Sequence, residues 1–253
     1  MDYLKYNLKQ GYRKINAFYE LNNHLMTFGL DIYWRKKAST TISKLLSKEN
    51  NYNKKIVYCD FCIGTGEFFE LMFNKLTEIQ YDKKSIFIGL DFSYEMIARA
   101  KKKKVFSNHN VSLILADVGF LPLKNNSVDF ITISLGIRNL RNPNDINHNN
   151  IFAHRFNEIY RVMKDGGYFF GLETSRPPNK IIRKISDFLT LYILTNIAKI
   201  LSGDFDTYTY LAKSIIDFFE PDQFKNFLLS IGFKNVHYYL FTFGIVALHI
   251  AKK

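Results

Sequence analysis

Residues 56–67, Ile-Val-Tyr-Cys-Asp-Phe-Cys-Ile-Gly-Thr-Gly-Glu, limit what this chain can fold into more than any other stretch. The apolar run reads as a buried strand. Gly64 and Gly66 turn the chain, and the apolar spacing that follows reads as a helix. A second apolar run, at 86–91, ends in Asp91. A strand, a Gly-x-Gly turn, a helix and a strand ending in a carboxylate form the unit with which an α/β sheet holds a nucleoside. The glycines admit the ligand close to the backbone, and the carboxylate accepts from ribose hydroxyls.

The same alternation continues. Strands are expected at 56–61, 86–91, 111–116, 128–134 and 168–173, with helices at 66–76, 94–104 and 152–163 between them. This order implies a parallel sheet covered by helices on both faces. Two helical patterns, 11–21 and 33–46, precede it. The Asn-rich segment 140–150, with Pro143, reads as a loop. Asp165-Gly166-Gly167 reads as a helix stop before the fifth strand. Pro177-Pro178 breaks the chain, and 181–201, 207–218 and 221–230 read as helices, the last with proline at its start. Two final strands, 235–241 and 245–252, are joined through Thr242-Phe243-Gly244, so they form an antiparallel hairpin. The expectation is one α/β domain over 1–253. It comprises a helical extension (1–50), a cofactor-binding core (56–175), a helical segment covering the substrate (176–232) and the terminal hairpin (233–253).

Composition narrows the setting. A chain of 253 residues, 47 % hydrophobic, can bury one good core. The formal charge of +12 fits a solvated lysine surface, an anionic membrane surface or nucleic acid. The run Lys101 to Lys104 ends a predicted helix, where cations suit the dipole. Cys59 and Cys62 are the only cysteines. Three apart on a strand, they point to opposite faces and read as packing thiols. Two thiolates are too few for a closed zinc site, and no metal is expected. The longest uncharged apolar stretch, 188–198, is too short to span a bilayer. No leader is evident, which leads us to expect a cytoplasmic protein, soluble or peripheral at the inner face of a membrane.

A mostly parallel sheet closed by an antiparallel hairpin is the seven-stranded, Rossmann-like layout of class I S-adenosylmethionine (SAM) methyltransferases. The glycine turn agrees: it lacks the third glycine that seats a pyrophosphate, and SAM has no phosphate. Further motifs are more specific. They are residues 19–29 with Trp34-Arg35, residues 133–139 (Ile-Ser-Leu-Gly-Ile-Arg-Asn), residues 172–177 (Leu-Glu-Thr-Ser-Arg-Pro), Ser202-Gly203-Asp204 with Tyr208 and Tyr210, and residues 244–249 (Gly-Ile-Val-Ala-Leu-His). Together, from about Asn16 to Lys252, they resemble the ubiquinone/menaquinone C-methyltransferases. The resemblance implies SAM-dependent methylation of a ring carbon of a polyprenylated quinol. By motif, it implies that Gly64, Thr65, Gly66, Asp91, Asp117, Val118 and Ser134 bind SAM. The chain departs from the family pattern at Cys62, Ile63, Glu67 and Lys213, and in the longer Asn-rich link at 142–150.

The chemistry needs a nucleophilic carbon held about 3–3.5 Å from the methyl group. A quinol carbon becomes nucleophilic when a ring hydroxyl ionises, which phenols resist below pH about 10. Arg138, after the fourth strand, is the first candidate to stabilise that anion, with Asn139 bonding a ring oxygen; an ion pair that merely fixes the loop is the competing reading. His249, Tyr19 and Asp204 are candidate bases. The apolar face of 181–201 could cover the pocket, rest on lipid near Arg183, Lys184 and Lys199, or pack in a homodimer. Demethylmenaquinol is the expected substrate. Three alternatives stay open: the methoxy-polyprenyl-benzoquinol of ubiquinone synthesis, another small molecule, or RNA. No nucleic-acid partner is expected, since no RNA-binding module is present. A non-catalytic subunit is the remaining class.

Overall fold

A computed structural model describes residues 24, 27–49, 54–79, 83–141, 149–201 and 212–253. Its centre is a seven-stranded sheet of β1 (Val57–Phe61), β2 (Ile86–Asp91), β3 (Val111–Leu115), β4 (Val128–Ser134), β5 (Met163–Thr174), β6 (Lys234–Phe241) and β7 (Val246–Lys252), in the order β3-β2-β1-β4-β5-β7-β6. β1 to β5 pair in parallel. β7 lies between β5 and β6 and runs against both. The sheet is that of a Rossmann-like α/β fold closed by an antiparallel hairpin. The tight link between β6 and β7, Thr242–Gly244, holds Phe243 at φ 56.

Strand alternation splits the core in two. On one face, α1 (Leu30–Lys48) and α2 (Glu67–Glu78) bring Trp34, Ile42, Phe69 and Met72 onto Tyr58, Phe87, Phe170 and Leu248. On the other, α4 (Asn149–Val162) and α6 (Pro221–Ile231) bring Phe152, Phe156, Phe224 and Leu228 onto Cys59, Ile131 and Phe169. Each buried phenylalanine stabilises the fold by about 1.5–3 kcal/mol relative to exposure. α6 starts as its sequence suggests. Pro221 lies in its first turn, Glu220 and Gln223 form a reciprocal cap, and Gly232 at φ 113 ends it. Two further helices are α3 (Tyr94–Ala100), capped by Ser93 Oγ accepting from Met96 N, and α5 (Lys180–Leu201). No helix of the described residues is long and apolar enough to cross a membrane.

Two expected boundaries shift. α3 stops at Ala100, and Lys101 to Lys103 form a turn leading into a one-turn helix, Lys104–Ser107. β5 begins at Met163 rather than Tyr168, so Asp165-Gly166-Gly167 is not a helix stop. Val128 pairs with Met163 and Phe130 with Tyr168, so residues 164–167 bulge out of the strand. Backbone bonds from Gly166 N to Lys253 O and from Lys253 N to Gly167 O tie that bulge to the chain's end. A Cβ on Gly167 would lie 2.8 Å from Lys164 O and 2.9 Å from Asp129 O. Those are backbone atoms that cannot rotate away. Gly167→Ala is therefore expected to destabilise the protein by about 1–3 kcal/mol, read as a lower urea midpoint with an unchanged slope.

Candidate active site

The strand order reverses between β1 and β4, and α/β ligands bind where the carboxyl ends of strands flank such a reversal. A cavity of about 300 Å³ opens there. Its wall holds Asp60 from β1, Asp91 from β2, Ser134 from β4 and Thr174 from β5. The turns leaving β1 and β4 are strained: Cys62 has φ 54 and Leu135 φ 55. They also touch, since a Cβ on Gly136 would lie 2.7 Å from Cys62 Cβ.

Asp91 organises the cofactor half. Its two carboxylate oxygens accept from Ser93 N and Gly64 N, each at 2.9 Å. Burial pushes its carboxyl up, and these backbone donors pull it back. Lone pairs remain for two further donors. Gly64, at φ 56, has nothing within 4 Å of where a Cβ would stand, so its backbone presents an open cradle. Asp60 lies beneath, accepting from Thr132 Oγ1, which also meets Tyr58 OH at 2.7 Å. Burial pushes the Asp60 carboxyl up to about 7, against the Thr132 bond and the Arg35 charge.

A charged clasp joins α1 to the glycine turn. His24 sets Nδ1 2.9 Å from Asp31 and Nε2 3.2 Å from Glu67, while Arg35 donates to both carboxylates. Burial would raise the Asp31 carboxyl, but the Thr27 hydroxyl, Arg35 and His24 hold it below its usual range. His24, Asp31 and Glu67 bring ligand atoms within 4.8 Å of one another. The Arg35 guanidinium already supplies the positive charge at that cluster.

The opposite half belongs to β4 and β5. Arg138 donates from its backbone N and from Nη1 to Glu173, at 3.1 and 3.0 Å, and from Nη1 to Leu135 O. Arg138 and Asn139 line the cavity, as do Ser186, Leu189, Thr190 and Ile193 of α5. Among the described residues, the buried Ser134 Oγ has no hydrogen-bond partner.

Residues 3–253 match the ubiE/COQ5 methyltransferase family. The chain belongs to that family. Curated relatives agree. The ubiquinone/menaquinone biosynthesis C-methyltransferase of Blochmanniella floridana is 32 % identical over 98 % of this chain and 90 % of its own. That of Rickettsia prowazekii is 33 % identical over 93 % and 88 %, and that of Campylobacter jejuni 32 % over 96 % and 95 %. Solved structures share the fold. A SAM-dependent methyltransferase from Aquifex aeolicus has a TM-score of 0.53 at 15 % identity, over 83 % of this chain and 88 % of its own. Phosphoethanolamine N-methyltransferase 2 of Haemonchus contortus, solved with SAM, has 0.52 at 17 % over 78 % and 37 %.

Membership of the ubiE/COQ5 family makes the chain a SAM-dependent C-methyltransferase, and the residues present fit the cofactor. Gly64 leaves its cradle open, the Asp91 carboxylate has lone pairs to spare, and the Ser134 hydroxyl is unpartnered. Thr65 lines the same wall. Other expected site residues stand elsewhere. Gly66 is not on the cavity wall; its φ of 85 and its closeness to Phe106 make it a packing glycine at the start of α2. Asp117 is absent from the wall as well, paired with Arg155 at 3.1 Å and accepting from Gly119 N. Val118 is buried in the core beside α4.

His249 is corrected outright as a base. It lies on β7 under α6, its Nε2 donates to Pro221 O at 2.9 Å, and its ring packs edge-on against Phe224. Burial lowers its pKa to about 4, so it stays neutral away from the cavity. Both thiols are pushed up by burial, in keeping with packing cysteines. Tyr19, Asp204, Tyr208 and Tyr210 lie outside the described residues. Asp60, Asp31, Arg35, Glu67 and Glu173 were not singled out for the site from sequence. A carboxylate inside an otherwise apolar strand was the available signal for Asp60.

Asp60 generates a test. Bringing a cationic ligand beside it favours its ionised form. SAM affinity is therefore expected to rise by up to about tenfold per pH unit toward pH 7 and then level off, with proton release on binding. Calorimetry in buffers of different ionisation enthalpy reads both, and Asp60→Asn should abolish both. In the unliganded fold, the raised Asp60 carboxyl favours stability at low pH and loses that contribution as pH climbs through about 7. The variant should accordingly gain relative stability at pH 8.

Proposed function

We propose that the chain methylates a ring carbon of a polyprenylated quinol, with demethylmenaquinol as the substrate and the methoxy-polyprenyl-benzoquinol of ubiquinone synthesis as the second reading. The observation that carries this is the family match across residues 3–253, joined to a cavity that is acidic at one end and apolar with arginines at the other. SAM supplies an electrophilic methyl group on a sulfonium. The protein has to bind it, exclude water, and raise the nucleophilicity of the ring.

Asp91 and the Gly64 backbone would hold the adenosine side, and Asp60 lies near enough to offset positive charge. Leu189, Ile193, Ile215 and Ile245 give the quinol an apolar wall. Arg138 and Asn139, fixed in a one-turn helix, Ile137–Leu140, would donate to ring oxygens as charge develops there. Glu173 keeps the Arg138 guanidinium in place. Donors held before the reaction lose no free energy to reorganisation during it.

The isoprenoid tail needs a route that avoids water. α5 offers one, because it faces both the cavity and the outside. Ser186, Leu189, Thr190 and Ile193 look into the cavity. Ile181, Ile185, Phe188 and Tyr192, spaced at helical intervals, face outward, with Ile181 70 % and Phe188 66 % exposed. Lys180 and Lys184 flank that outer stripe and are exposed. An anionic lipid surface is the occupant that this combination fits, so the enzyme would collect its substrate as a peripheral protein at the membrane.

Purified protein with methyl-labelled SAM should transfer label to reduced demethylmenaquinone in detergent, and not to bulk tRNA. Label in tRNA alone would overturn the quinol reading, and a preference for the benzoquinol would select the second one. Arg138→Ala should lower kcat about 10²-fold or more while leaving SAM affinity unchanged. Loss of SAM binding in that variant would assign Arg138 to the cofactor instead. Sedimentation with phosphatidylglycerol vesicles should fall as salt rises, and fall sharply in Ile185→Asp/Phe188→Asp; equal binding by the variant would remove α5 as the contact.

A further inference from the structure

Three arginines line the cavity, and two of them are neutralised. Arg35 is paired with Asp31 and Glu67, and Arg138 with Glu173. The third, Arg176, lies two residues past the end of β5 on the same wall as Arg138. Its backbone N donates to Phe219 O at 3.2 Å, which fixes the chain at that point. Its Nε is buried with no hydrogen-bond partner, and among the described residues no carboxylate pairs with its guanidinium. The contrast with Arg183 is direct, since that residue sits one helical turn into α5 and is paired with Glu220 at 2.8 Å.

A guanidinium cannot shed its charge at any working pH. A partly desolvated one with no counter-charge carries a free-energy cost that an incoming anion removes. An ion pair such as Arg138–Glu173 projects mainly a dipole into the cavity, whereas Arg176 projects a full positive charge, which falls off more slowly with distance. We infer that Arg176 is a catalytic residue that takes the ionised ring hydroxyl of the substrate as its counter-ion. This rests on the quinol reading above. The hydroxyl gives its proton to solvent, the oxygen keeps the electron pair, and Arg176 holds the resulting phenolate. The ring carbon, made electron-rich, forms a bond to the methyl group as the methyl–sulfur bond breaks and its pair stays on sulfur, and that carbon then loses its own proton to solvent, which restores the aromatic ring. Arg138 and Asn139, already tethered, donate to the ring's other oxygen and orient the ring.

The test uses the full chain with S-adenosylhomocysteine bound and 4-nitrophenol as a phenol whose ionised form is coloured. The bound probe's pKa should lie about 1–3 below that of the free probe in the unmodified protein. Arg176→Lys should keep part of that drop and Arg176→Gln should lose it. On the quinol, Arg176→Gln should lower kcat about 10²-fold and move the acidic limb of the pH–rate profile to higher pH, with SAM affinity unchanged and a melting temperature no lower than that of the unmodified protein. A probe pKa and an acidic limb that are both indifferent to Arg176→Gln would overturn the inference even if the unmodified protein turns over quinol. A probe pKa that depends on Arg176 in a protein that methylates no quinol would keep the phenolate site and overturn the substrate reading instead.

Discussion

The site depends on one buried carboxylate that satisfies two turns at once. Asp91 accepts from Gly64 N in the turn after β1 and from Ser93 N in the turn after β2. Each donor is a backbone group at the edge of the sheet that would otherwise lack a partner away from water. By serving both, Asp91 locks the two βα turns at a common level and spaces the tips of β1 and β2. Everything that lines the cofactor half inherits this spacing. The strain at Cys62 and the absence of a side chain at Gly136 follow from it, because the turn after β4 has to close against a turn whose position is already set.

Sequence pattern read the sheet well because its central strands are buried on both faces. The expected strands at 86–91 and 128–134 match β2 and β4 to the residue, since each mostly apolar run starts straight after a polar stretch and ends in a polar residue. β5 was harder. Glycine usually marks the end of an element, and only the backbone bonds to Lys253 and the close approach of Gly167 to Asp129 O show that Gly166 and Gly167 serve a bulge within one. The charge run at 101–104 looked like a helix terminus and proved to lie beyond it. The misreading of β5 concerns residues whose role is set by a neighbour distant in sequence.

The site was legible in the same proportion. Gly64, Thr65, Asp91, Ser134, Arg138 and Asn139 converge on one cavity because each follows the carboxyl end of a strand, and a strand end can be read from sequence. His249 failed because its motif lies on β7, where strand alternation turns the ring toward α6; periodicity alone does not say which helix covers which face. Asp117 is not on that cavity's wall, and Arg155, one helix away, pairs with its carboxylate. The clasp of His24, Asp31, Arg35 and Glu67 was invisible as a unit, since it joins the start of α1 to the start of α2 across 43 positions of sequence, from 24 to 67.

The distribution of charge along the cavity ties these parts into one function. A methyl transfer from a sulfonium to a phenolate brings a cation and an anion together and consumes both, so polar groups that help either reactant must not meet the wrong one. Here Asp60 and Asp91 sit at the tips of β1 and β2, while Arg138 and Arg176 sit beyond β4 and β5. Between them, Glu173 and Glu67 neutralise the arginines nearest the acidic half. With α5 and Trp34, which donates to Thr242 at 2.7 Å, on the cavity wall, that gradient acts in a partly desolvated medium, where fixed charges are felt more strongly than in water. The order of the strands places the two reactants, and the order of the charges determines which end of the cavity each occupies.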